Sequence, residues 1–114
     1  MRIGYIDSSF LLSIVFEDSN YNKSIQIWNN LEIMYSSLLL EIESRINNYK
    51  YYMLSKKEKE IYSHKEKDLG ELISSINLKI IDNEINLEIR NFDKLKRPRS
   101  LDSIHLATAN ILKK

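Results

Sequence analysis

The sequence predicts an α/β domain: a parallel sheet with helices on both of its faces. Short apolar runs at residues 2–6, 33–36 and 78–81 alternate with longer stretches of helical periodicity, so that strand, helix, helix recurs three times. The first and third runs stop on Asp7 and on Asp82-Asn83, polar residues suited to the turn from strand into helix. With 2 Gly and 1 Pro in 114 residues, the chain is poor in hairpin signals and suited to long helices joined by short connections.

Taken in order, Ile3, Tyr5 and Ile6 make a buried first strand, closed by Asp7. Ser8 or Ser9 supplies an N-cap for a helix carrying Phe10, Leu11, Leu12, Ile14, Val15 and Phe16. Open parallel sheets bind ligands at the carboxyl ends of their strands, which places Asp7 well for chemistry; a plain turn or cap role is the competing reading. After a polar break at residues 17–20, Tyr21, Ile25, Trp28 and Leu31 recur at helical spacing, with Trp28 read as core. Residues 33–36 form the second strand, and Ser36 or Ser37 caps a third helix reaching about residue 54.

Two acids early in that helix differ in their neighbours. Glu41 has Arg45 four residues on, an ordinary surface pair. Glu43 has Leu39, Leu40 and Ile46 on its face, so its carboxylate needs a partner, a metal ion or a cation, unless its stem carries it out to water. Tyr49, Tyr51 and Tyr52 around Lys50 could stack on bases, although packing is the simpler role. The mixed charges of residues 55–68 read as a solvated helix, with His64 on its surface, and Gly70 as a point of kinking or division. Leu69, Leu72, Ile73 and Ile76 restore an apolar stripe before the third strand, Leu78, Ile80 and Ile81.

A helix over residues 84–92 leads to the basic stretch Lys94-Leu95-Lys96-Arg97-Pro98-Arg99. Pro98 stops the preceding segment, Ser100 is a suitable N-cap, and Asp102 falls in the first turn, where a carboxylate favours the helix dipole. Ser103, Ala107, Thr108 and Ala109 permit close approach of a neighbour, while Ile104, Leu106 and Ile111 supply apolar area. Asp102 is read either as support for the cap or as an acid fixed at the rim of a core. A basic loop beside it suits a polyanionic substrate.

Composition narrows the classes. Seventeen Lys+Arg against 16 Asp+Glu leave a net charge of +1, so nucleic-acid binding would rest on local patches. The absence of Cys excludes a thiolate nucleophile, a Cys-based zinc site and a disulfide framework. Nothing reads as a signal peptide or a membrane span, and one cytoplasmic domain over residues 1–114 is expected.

Three stretches together resemble the PIN-domain nucleases, in particular the VapC type of toxin from toxin-antitoxin pairs. They are Tyr5-Ile6-Asp7-Ser8-Ser9-Phe10-Leu11, Ser36-Ser37-Leu38-Leu39-Leu40-Glu41-Ile42-Glu43-Ser44-Arg45, and Ser100-Leu101-Asp102-Ser103-Ile104-His105-Leu106-Ala107-Thr108-Ala109. The resemblance implies a three-layer sandwich with a short parallel sheet, and Asp7, Glu43 and Asp102 as catalytic acids that hold Mg²⁺ or Mn²⁺, with Ser9 in support. It also implies RNA cleavage by metal-activated water, a homodimer, and a cognate antitoxin that blocks the site. Lys96, Arg97 and Arg99 are candidate phosphate contacts. The family pattern continues into a further strand and a fourth acid, which have no counterpart after Asn110-Ile111-Leu112-Lys113-Lys114. The alternative expectation is therefore a catalytically weak remnant that binds an antitoxin or a second copy of itself. His105 and Asn110 could stand in for the fourth acid, but His105 reads better as a packed, hydrogen-bonded helix residue.

Overall fold

The computed structural model describes residues 1–54 and 59–113. Its strands β1 (Ile3–Tyr5), β2 (Ile33–Ser37) and β3 (Asn77–Lys79) form one parallel sheet in the order β1-β2-β3. Tyr5 lies opposite Tyr35, and Ser37 opposite Lys79. Between and after the strands come α1 (Ser8–Val15), α2 (Tyr21–Asn30), α3 (Leu38–Tyr49), α4 (Lys59–Ile73), α5 (Asn83–Asn91) and α6 (Ser100–Lys113). A π-helical turn, Lys50–Leu54, extends α3, and a short 3-10 turn, Asp93–Lys96, precedes α6. This is the order of elements that the sequence predicts, and no helix among the described residues is long and apolar enough to cross a membrane.

Alternation along the strands separates two apolar layers. Met34 joins Ile6, Leu11, Val15, Leu40, Leu69, Ile73 and Ile76 in the main core, under α1, α3 and α4. On the other face, Tyr5 and Tyr35 share a groove of about 400 Å³ with Ala109 and Leu112 of α6. A smaller core of Ile85, Leu95 and Ala107 locks α5 and the 3-10 turn to α6. Gly4 keeps β1 close to α2, since a Cβ there would come within 2.9 Å of the Leu31 side chain.

Several local expectations are corrected. Asp7 itself is the N-cap of α1, because its carboxylate accepts the Phe10 N–H at 2.8 Å and leaves Ser8 and Ser9 inside the helix. Of the two candidates for capping α3, it is Ser37 that accepts the Leu39 N–H. Gly70 does not divide α4, which runs unbroken from Lys59 to Ile73, and the nearest atom to an added Cβ there is an Arg45 nitrogen at 3.8 Å. The third strand ends at Lys79, and Ile80 and Ile81 are exposed beyond it. Ser100 is the first residue of α6 rather than its cap, Leu106 faces water, and Trp28 is only partly buried against the core. Residues 55–58 of the expected charged helix lie outside the described residues.

β1 is an edge strand. Ile6 donates its N–H to Tyr35, and the Arg2 carbonyl accepts from Ile33, so the alternation of a parallel ladder turns the backbone groups of Ile3 and Tyr5 outward. Ile3 is 60% exposed there.

A buried tyrosine makes the fold sensitive to alkali. Burial raises the pKa of the Tyr52 hydroxyl above its ordinary value, with Tyr51, Glu17 and Asp68 adding to the effect. A raised folded-state pKa stabilises the protein below about pH 10 and forfeits that stability as pH rises through the folded value. Thermal melts should therefore show Tm falling above about pH 10, and Tyr52→Phe should reduce the fall; equal slopes in both proteins would refute this role.

Candidate active site

The parallel strands put their carboxyl ends on one edge of the sheet, and the chain leaves that edge into α1 after β1 and into α3 after β2. Asp7 stands at the first of these exits. It is exposed, held by the bond to Phe10, and followed at the second helical position by the exposed Ser9. Glu43 lies six residues beyond Ser37, about 9 Å along the helix axis. Asp102 is exposed in the first turn of α6, where the helix dipole favours its charge.

Glu43 has the partner its setting demands. His105 Nε2 lies 2.6 Å from Glu43 Oε1, with side-chain exposures of 18% and 24%. His105 Nδ1 in turn lies 2.9 Å from the Tyr5 hydroxyl. A carboxylate accepts and cannot donate, so His105 donates from Nε2 to Glu43; in the neutral ring Nδ1 then accepts the Tyr5 hydroxyl proton. Burial raises the Tyr5 pKa above its ordinary value. His105 is thus the hydrogen-bonded helix residue expected from the sequence. Ile46, counted among the apolar neighbours of Glu43, is exposed; Leu39 and Leu40 are buried.

Glu41 is separated from this arrangement by its own partner. Arg45 Nε binds Glu41 at 2.9 Å and Arg45 Nη1 binds Glu66 of α4 at 2.8 Å. The bond to Glu41 holds the guanidinium pKa above its usual value. Glu66 also accepts from Asn48, so the pair read from the sequence as local is part of a seam between α3 and α4. His64 is exposed, as expected.

The basic residues before α6 are all exposed. Lys96 is bound to Asp93 at 2.9 Å, an exposed pair that solvent screens. Arg97 and Arg99 flank Pro98, three to five residues before Asp102.

Each candidate acid therefore sits on a different element, β1–α1, α3 or α6. Carboxylate oxygens are hard donors of the kind that Mg²⁺ and Mn²⁺ take. In type they fit a divalent ion; in placement they are not a preassembled cage, since among the described residues no three His, Cys, Asp or Glu form a group that could hold a metal. What the fold does assemble is Tyr5, His105 and Glu43. Sequence reasoning missed Tyr5, whose signal is its position two residues before Asp7 on the same strand face.

Comparison with known proteins adds one positive finding. The family model for the PIN domain matches residues 4–113. No curated protein and no solved structure matches the chain.

Proposed function

The chain belongs to the PIN-domain family, whose members are in general metal-dependent nucleases, and we propose that it is an endoribonuclease toxin of the VapC type. The observation that carries the reading is the family match over residues 4–113. It is supported by Asp7 and Glu43, which follow the carboxyl ends of adjacent parallel strands, and by the Glu43–His105 bond, which ties α3 to α6, the helix that carries Asp102.

Asp7, Glu43 and Asp102 are the residues that would hold Mg²⁺ or Mn²⁺. When bound, such an ion supplies charge neutralisation at the scissile phosphate and acidifies a water. The chain supplies orientation. The bond from Phe10 fixes one oxygen of Asp7, His105 fixes one oxygen of Glu43, and the start of α6 favours the charged form of Asp102. Ser9 stands beside Asp7 as a supporting hydroxyl. Arg97 and Arg99, with Lys96 once it leaves Asp93, would meet RNA phosphates by charge-assisted bonds. A cognate antitoxin would neutralise the toxin, and a homodimer in the cytoplasm is its expected state.

The test is cleavage of single-stranded RNA by the purified chain with Mg²⁺ or Mn²⁺, beside single-stranded DNA of the same sequence. RNA cleavage abolished by a chelator supports the reading; DNA cleavage alone, or no cleavage with either ion, overturns it. The two early acids of α3 give a further check. Glu43→Gln should weaken Mn²⁺ binding in a calorimetric titration, while Glu41→Gln should leave it within about threefold of wild type, because Glu41 is engaged with Arg45 in the seam with α4 and not with His105. Equal losses would assign the role of Glu43 wrongly.

A second reading is favoured by the outward-facing backbone of β1 and by the spacing of the acids. It makes the chain an association module with little nuclease activity, pairing through an edge strand with a second copy or an antitoxin. Light scattering separates the two: self-association without metal-dependent cleavage supports the second reading, and a monomer that cleaves RNA excludes it.

A further inference from the structure

β1 turns outward a row of backbone groups that is complementary to itself. In its parallel ladder with β2, residues 2, 4 and 6 bond inward, while the N–H and C=O of Ile3 and Tyr5 face away from the sheet. Both faces of this edge are open. On one, Ile3 and Tyr5 border the groove of about 400 Å³ shared with Leu112; on the other, Gly4 and Ile6 border a groove of about 260 Å³ with Ile27. Ile3 and Ile27 are 60% and 43% exposed. Arg2 precedes the strand and Asp7 follows it; both are exposed, and among the described residues neither makes an ion pair. We propose that β1 pairs antiparallel with β1 of a second copy, about a two-fold axis through Gly4, and so joins the two three-stranded sheets into one. The inference rests on the association reading above, and gives it one partner and one register.

Three features select this occupant. An axis through Gly4 sets Ile3 opposite Tyr5 of the second copy, and opposed residues whose backbone groups face each other exchange both bonds, so every outward N–H and C=O of residues 3 and 5 is used. The pleat then leaves Ile3 and the opposing Tyr5 on one face, an aliphatic against an aromatic side chain beside the larger groove. The charges are complementary in this direction alone: antiparallel strands bring Arg2 of each copy to the level where the other turns from Ile6 into Asp7, whereas parallel strands would set like charges together. Such a two-fold contact closes on itself, so assembly stops at the dimer.

Analytical ultracentrifugation of the wild-type chain should show a monomer–dimer equilibrium. In amide exchange followed by NMR, the Ile3 and Tyr5 N–H groups should gain protection as concentration rises, while Gly4, already bonded to β2, should change little. Ile3→Pro removes one outward donor from each copy at the first residue of an edge strand, where proline is tolerated, and should weaken the dimer by about 10–100-fold. Arg2→Glu sets like charges at both ends of the contact and should weaken it by about tenfold. If Ile3→Pro does not fold, Arg2→Glu and the wild-type amides decide. A dimer whose Ile3 and Tyr5 amides stay unprotected overturns this proposal alone and leaves association through another surface. Protected amides with an Arg2→Glu dimer as tight as wild type overturn the antiparallel register. A chain that is monomeric at every concentration overturns the association reading, and the proposal with it.

Discussion

Asp7→Asn is expected to lower metal-dependent RNA cleavage by about 100-fold or more, at or beyond the upper end of what loss of an outer-shell partner costs. Asp7 is the N-cap of α1 and a proposed metal ligand, and Asn separates the two. As N-cap of α1, the side-chain oxygen accepts the Phe10 N–H at 2.8 Å, and Asn caps about as well as Asp. Tm should therefore move little. As a proposed ligand, Asp7 offers a charge that Asn lacks, and Mn²⁺ affinity should fall with activity. Asp7→Ala would confuse the two, since loss of a cap alone costs about 1 kcal/mol. Undiminished cleavage by a well-folded Asp7→Asn chain would restrict Asp7 to its cap.

The largest effect on stability is expected at Leu40. It is fully buried in the main core, in the first turn of α3 and three residues before Glu43. Leu40→Ala removes its apolar contacts and leaves a cavity that the packed helices close only in part, a loss of about 2–5 kcal/mol. In a domain of this size Tm should fall by roughly 10 °C or more. Leu40→Met, which nearly conserves volume, should cost less than about 1.5 kcal/mol. Because α3 carries Glu43, the Ala variant should also loosen the Glu43–His105 bond, read as faster proton exchange at Nε2 below the melting transition. A Tm within a degree or two of wild type would show that the core there re-packs freely.

What the sequence determined by itself is whatever local spacing controls. The alternation of short apolar runs with helical periodicity yields the observed order of strands and helices, because burying a strand or a helix stripe requires patterns of period 2 and 3.6 that are legible over ten or fifteen residues. The Glu41–Arg45 pair follows from helix geometry in the same way, and so does the place of Asp102 in a first turn. Helix boundaries were less legible where neighbouring residues compete for one cap. Asp7, Ser8 and Ser9 all carry a suitable oxygen, and only the backbone angles on leaving β1 decide for Asp7.

Tertiary structure alone decided the partner of Glu43. Periodicity shows that its carboxylate lies on a face needing compensation, but not that a histidine 62 residues away supplies it, nor that Tyr5 orients that histidine from 100 residues away. It likewise decided that Arg45 reaches Glu66, that β1 is the sheet edge, and that Ile80 and Leu106 face water. Such contacts depend on sheet register and on which helix faces meet. Those are fixed by the packing of the whole chain at once, and no window of local sequence contains them.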